Sequence, residues 1–304
     1  MPYHVLVTGD GLRDAEWVIL AYFAYVAILV NVQPINDARA ADWGIGIFVL
    51  ATVIFALLNA LERRTGNMLF PVFRDWLALA FTIVAYREMD WFSPEHHTHV
   101  LENSWVVWDR YLLDHLGLRR YIEFLGPLIP SLLELCYFVV YAVGPFAVGV
   151  LYWTKRQERA PDLLFLYEAG TLLAYACFPF FLSEPPRTAF PGMDMPTIHN
   201  WLRRANLGVV NGYGIHSSVF PSAHVSSAVS AAIGMIICLP EKPWFGRGLL
   251  IYALLVSVAV IYGRYHYAID SVAGIGVAVA GWMFYRYKRR RAAGVEEPVA
   301  SLRQ

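Results

Sequence analysis

The chain carries a succession of apolar runs, each close to the length needed to cross a bilayer. They fall at about 16–33, 43–61, 69–87, 127–153, 162–183, 223–240, 247–263 and 268–287. A spanning helix takes about 20 mostly apolar residues. Inside lipid every backbone N–H and C=O must be satisfied within the segment, which favours helices. The expected fold is therefore an all-α integral membrane protein with about eight transmembrane helices. Composition agrees: 58% of residues are hydrophobic and only 16% charged, against about 25% charged in soluble domains. Net charge is zero, so nothing points to nucleic acid. Cys136, Cys177 and Cys238 all sit in apolar stretches and read as small buried hydrophobes. The third run is the weakest, because Arg74 and Asp75 fall near its start. A self-paired Arg–Asp at the membrane edge accounts for them.

Lys and Arg set the orientation. With eight spans both termini share one side. That side receives Arg63 and Arg64, then Lys155, Arg156 and Arg159, then Lys242 and Arg247, and finally the run "RYKRRR" at 286–291. The termini are accordingly expected in the cytoplasm. The first apolar run has no basic stretch before it, so it reads as a retained helix. Residues 292–304 read as a disordered cytoplasmic tail. The long loops 88–126 and 184–222 then share the non-cytoplasmic side with the turn "YGRYHYAID" at 262–270. Within the first of these loops, residues of about 100–118, with Trp105, Val106, Trp108, Tyr111, Leu112 and Leu116 at helical spacing, predict an amphipathic interfacial helix.

Three stretches on that side carry chemistry. In "PSAH", Ser222 is a natural N-cap and puts His224 in the first turn of a helix. Free N–H groups there make an anion site. In "GRYHYAID", His266 and Asp270 are four apart, on one face if a helix begins there. The aspartate would fix the tautomer of the imidazole and leave its other nitrogen free as nucleophile or base. Arg264 adds a planar set of donors for phosphate oxygens. In "SEPPRTAF", two prolines make a rigid exit from the fifth run and present Arg187. An ionisable pair at the end of a membrane span is a functional hypothesis by default, although a cap and an ion pair are the plainer account of each stretch alone.

Together, "PSAH" opening one helix and "HYAID" opening the next but one resemble the type 2 phosphatidic acid phosphatase superfamily, over about 181–285. "PPR" resembles its inositol phosphorylceramide synthase branch. The resemblance implies a six-helix phosphatidic-acid-phosphatase-like core at 67–291 behind two N-terminal helices at 1–66. It implies His266 as the nucleophile on phosphorus and Asp270 as its orienting partner. His224 would protonate the leaving alcohol and then deprotonate the acceptor, while Arg187, Ser222 and Arg264 hold phosphate oxygens. No metal or cofactor is required on this reading. The partners would be a phospholipid donor and a lipid alcohol such as ceramide or diacylglycerol, with water as the rival acceptor in a lipid phosphate phosphatase. Two departures stand out. Where the phosphatases have a lysine seven residues before the first-motif arginine this chain has Phe180, and where they have an arginine six residues before the second histidine it has Val260.

Glu134, His216 and Tyr267 are expected near the pocket. For Glu134, hydrogen bonding within the bundle competes with a headgroup contact, and for His216 the entrance is the natural place. Glu168 lies too far in to meet a headgroup. His96, His97 and His99 are close in sequence but lack a fourth ligand and a helical spacing for a metal. Gly274, Gly276, Ala278 and Gly281 read as a close-packing face of the last helix. A transporter predicts ionisable residues near mid-membrane and related halves, and neither pattern is present. An inactive scaffold would have no need of His224, His266 and Asp270 together.

Overall fold

The computed structural model describes residues 11–300, with side chains up to residue 292. Thirteen α-helices follow in order: α1 (Asp14–Leu29), α2 (Ala40–Thr65), α3 (Leu69–Glu88), α4 (Val100–Arg110), α5 (Leu118–Glu123), α6 (Leu128–Phe138), α7 (Val143–Trp153), α8 (Ala160–Cys177), α9 (Pro186–Ala189), α10 (Trp201–Tyr213), α11 (Ala223–Cys238), α12 (Pro243–Tyr262) and α13 (Ala268–Ala300). Among the described residues, six segments are long and apolar enough to cross a membrane: Ala40–Thr65, Leu69–Phe92, Leu128–Trp153, Gln157–Phe180, Pro243–Tyr262 and Ala268–Ala292. The other two expected spans appear as the 16-residue helices α1 and α11. At 1.5 Å per residue each is about 24 Å long, against about 30 Å of hydrocarbon.

The middle helix is α8, buried along nearly its whole length and packed on α1, α3, α7, α11 and α13. No aqueous face remains to it, so its sequence is mostly apolar, as an enclosed helix requires, and its buried Glu168 accepts from the Thr82 hydroxyl (2.8 Å). The outermost is α2, whose Trp43, Val49, Leu50, Val53 and Leu57 point outward, a surface suited to lipid. Helices α1 and α2 share one continuous apolar core with α3, α7, α8 and α11.

Charge ties this core at one end. Arg74 and Asp75 do not pair with each other. Arg74 meets Glu16 (2.6 Å) and Glu62 (2.6 Å), while Asp75 takes Arg13 (2.6 Å) and the Tyr152 hydroxyl (2.6 Å). Helical neighbours i and i+1 point about 100° apart, so each turns to a different helix. Lys288–Asp14 (2.6 Å) and Arg289–Asp162 (2.5 Å) bring the basic run to the same end. The stretch expected as a disordered tail continues as helix through Ala300; the rest of it, 301–304, lies outside the described residues.

Between α3 and α6 the chain turns back over the opposite end. Helices α4 and α5, joined by a π-helical turn at Tyr111–His115, lie across the loop that follows α8. Glu102 accepts the Glu184 N–H (2.8 Å), Arg110 pairs with Asp194 (2.7 Å), Arg119 donates to the Met195 carbonyl (2.6 Å) and Glu123 accepts the Thr197 hydroxyl (2.6 Å). The amphipathic face expected here is split. Val106 is buried, whereas Trp108, Tyr111 and Leu116 are exposed.

Candidate active site

The chemistry-bearing stretches meet at the end of the bundle that α4 and α5 cover, opposite the Arg13–Arg74–Lys288 end. Ser222 caps α11 as expected, its Oγ accepting the Val225 N–H (3.4 Å). Its own N–H donates to the Asp270 carbonyl (3.0 Å), which ties the start of α11 to the first turn of α13. Only glycine permits that approach. A Cβ on Gly274 would stand 2.5 Å from the Ser222 carbonyl oxygen. Gly281 likewise meets the backbone of Gly170, while Gly276 has open space around it. The close-packing face is therefore Gly274, Ala278 and Gly281.

His224 and His266 face each other across this junction, ring centroids 5.5 Å apart and planes at 61°. His266 is buried. Its Nδ1 lies 2.9 Å from the Val219 carbonyl and 3.3 Å from Asp270 Oδ2. Both are acceptors, so Nδ1 carries the proton and Nε2 is the free nitrogen. Asp270 Oδ2 also accepts the Tyr267 N–H (2.8 Å). Burial, with the Arg187 guanidinium adding to it, pushes the His266 imidazole down to about 3, against the Val219 hydrogen bond. The ring is thus neutral at pH 7, as a nitrogen nucleophile must be.

A column of stacked planes positions the rest. The His224 ring lies on Tyr137 (5.0 Å, 12°), Tyr137 lies on Tyr265 (3.9 Å, 5°), and the Arg187 guanidinium lies over Tyr265 at 5.6 Å. Tyr265 in turn donates to Glu134 Oε2 (2.7 Å). Glu134 is not left for a headgroup. Its Oε1 takes Arg203 (2.8 Å) and its Oε2 also takes Asn206 (2.7 Å). A buried carboxylate is costly unless paired and hydrogen-bonded, and α10 supplies both partners. Arg187 sits on the short helix α9, its N–H held by the Arg264 carbonyl (3.2 Å). Among the described residues its guanidinium has no carboxylate partner, so its donors remain for a ligand.

Arg264 is held from one side by a carboxylate. Its guanidinium is fully buried and Nη1 pairs with Asp109 Oδ2 at 2.5 Å, while Nε and Nη2 have no partner. Its φ of 61° lies in the left-handed region, which costs a non-glycine residue about 1–2 kcal/mol. Tyr267 is also fully buried, edge-on to Trp105 at 5.5 Å, with its hydroxyl unpartnered. His216 is exposed and bound to Asp90, with its carbonyl at 3.0 Å from His97 Nε2. Its partners belong to the α3 end and not to the histidine pair. His99 goes instead to Glu102 and Glu184, and among the described residues no group of three or more ligand side chains gathers for a metal. A cavity of 360 Å³ lined by Asn36, Asp37, Arg87, Glu88 and Asp90 does not include the histidines. Sequence reasoning missed Tyr137, Tyr265 and Asp109. For Asp109 a signal was present, since Glu102, Val106, Asp109 and Leu113 repeat at helical spacing and all are buried.

Two facing histidines, one oriented by a carboxylate, with a guanidinium alongside and apolar helices around, are an arrangement chemically capable of phosphoryl transfer. Residues 115–284 match the PAP2 superfamily, and the chain belongs to that superfamily. It is also 35% identical to the lipid A 4'-phosphatase of Bacteroides thetaiotaomicron over 78 residues. That match covers 25% of this chain and 34% of the relative, so the chain spans about a third of the length of the curated protein it matches. No solved structure matches the chain.

Proposed function

We propose that the protein is a membrane enzyme that cleaves a phosphate ester of a lipid through a phosphohistidine on His266. The observation that carries this reading is the pairing of His224 with His266, 5.5 Å apart, with Asp270 and Arg187 beside them. Nε2 of His266 attacks phosphorus while the P–O bond to the lipid breaks. His224, protonated once the negative phosphate lies beside it, gives its proton to the departing alkoxide. Neutral His224 then takes a proton from the incoming water or alcohol, which attacks phosphorus and breaks the P–N bond. Arg187 and the N–H groups at the start of α11, capped by Ser222, face charge that develops on the equatorial oxygens. Nε and Nη2 of Arg264, which have no protein partner, are a second donor set. Acid–base help of this kind is worth about 10²–10⁴ in rate. The bacterial relative, a lipid A 4'-phosphatase, favours a lipid phosphomonoester as substrate and water as acceptor. Because the basic run and both ends of the described chain lie at the opposite end of the bundle, the positive-inside rule favours a non-cytoplasmic active site.

A second reading has the acceptor as a lipid alcohol of the ceramide or diacylglycerol type. Two observations favour it: the "PPR" element that presents Arg187, and the burial of His266 away from water. One assay separates the two. Purified protein in detergent, and its His266→Ala variant, receive phosphate-labelled lipid with and without ceramide or diacylglycerol. Label released as water-soluble phosphate, equally without acceptor, supports hydrolysis. Label in a new lipid, dependent on acceptor, supports transfer. Neither product with folded protein, or equal product from His266→Ala, overturns both.

A further inference from the structure

Helix α4 precedes the family match, which begins at residue 115, yet its inner face is built into the site. Its pattern is inverted relative to a soluble helix. Glu102 and Asp109 point inward and are fully buried, while Val107 and Trp108 point outward. Lipid on one side and a polar site on the other explain the inversion. Trp105 stacks on Phe220 at 5.2 Å, two residues before Ser222, and meets Tyr267.

Asp109 makes two contacts, one at each end of a five-residue turn. Oδ2 accepts from Arg264 Nη1 at 2.5 Å, and Oδ1 accepts the Ala268 N–H at 2.8 Å. Ala268 opens α13, so this carboxylate satisfies one of the orphan donors at a helix N-terminus and complements its dipole. His266 lies midway between the two anchors. The Arg264 carbonyl meanwhile holds the Arg187 N–H at 3.2 Å. The left-handed Arg264 is thus the point from which both the nucleophile turn and the phosphate-facing arginine hang, and Asp109 is its only ion-pair partner among the described residues.

We propose that Asp109 is the positioning residue of this site, gripping Arg264 and the start of α13 so that His266 stands opposite His224 and Arg187 faces the phosphate. The inference rests on the role of His266 proposed above. The test uses the full chain in detergent with a lipid phosphomonoester as substrate. Asp109→Asn keeps an acceptor for Ala268 and removes the charge from Arg264. It is expected to lower kcat about 10²-fold, the scale of a 1 Å misplacement, with KM changed less than threefold and the melting profile close to wild type. Arg264→Lys, which keeps the charge and loses the planar fork, should give the same split. Asp109→Ala with Arg264→Ala should lose no more kcat than the worse single variant. If Asp109→Asn stays within twofold of the wild-type kcat while His266→Ala is inactive, the positioning role is wrong and the proposed function stands. A raised KM with kcat preserved, or failure of both Asp109→Asn and Arg264→Lys to fold, also overturns it, the pair then serving binding or stability alone. Activity retained in His266→Ala overturns the proposed function instead.

Discussion

Replacing Gly274 with alanine adds one methyl group at the tightest junction of the site. The new Cβ would lie 2.5 Å from the Ser222 carbonyl oxygen and 3.2 Å from Val225 Cβ. The first neighbour is backbone, so no side chain can swing aside. Regaining ordinary contact takes a separation of about 0.9 Å, and overpacking of this kind costs about 1–3 kcal/mol. The strain falls on the residue that caps α11 and precedes His224 by two positions. It also falls on the Ser222–Asp270 hydrogen bond of 3.0 Å. A displacement approaching 1 Å between His224 and His266 is worth about 10²-fold in rate. Gly274→Ala is therefore expected to lower kcat by about that factor, along with a drop of several degrees in the melting midpoint. Gly276→Ala is the control on the same helix, since nothing lies within 4 Å of its would-be Cβ. The assay is phosphate release from a lipid phosphomonoester by each purified variant, beside a thermal melt. Wild-type kcat in Gly274→Ala, or equal losses in both variants, would refute the argument that this close approach sets the histidine geometry.

Other perturbations follow from the same geometry. Arg187→Lys keeps the charge but loses the planar fork over Tyr265; kcat/KM should fall at least tenfold with stability unchanged, read by the same assay. Arg74→Ala leaves Glu16 buried without its partner and should destabilise by about 3–5 kcal/mol, measured as a lower melting midpoint and greater protease sensitivity of α1. The depressed His266 means that the unfolded chain binds a proton which the folded chain refuses between its ordinary value of about 6.5 and about 3. Stability should then fall as pH drops through that window, and melts at pH 7 and 5 should differ less for His266→Gln than for wild type. Glu134→Ala should loosen Tyr265 and the stacked column, costing kcat more than KM, as single-turnover kinetics would resolve.

Much of this was legible in the sequence because membranes enforce simple rules. Long apolar runs predict helices with little competition, and "PSAH" and "HYAID" announce themselves by placing ionisable groups where lipid begins. The side-chain partners were harder. Arg74 and Asp75 are adjacent in sequence, so a local pair was the natural expectation, but on a helix each reaches a different neighbour. Arg264 showed no partner in the sequence, since Asp109 lies 155 residues away, on a helix whose Val107 and Trp108 are exposed. The Tyr137–Tyr265 stack joins α6 to the histidine turn, and aromatic residues are so frequent here that no spacing singles out that pair. Glu134 was open to two roles until α10, a helix in a loop, brought Arg203 and Asn206 to it.

The central claim is that His266 carries the phosphoryl group. Its most direct test is a rapid quench of the purified protein with a lipid phosphomonoester labelled at phosphorus. Acid-labile, base-stable label on the protein would then be assigned by mass spectrometry. The account predicts label on His266 in the wild type and none in His266→Ala. Turnover without any protein-bound label under conditions that retain phosphohistidine, or label on another residue, would contradict it.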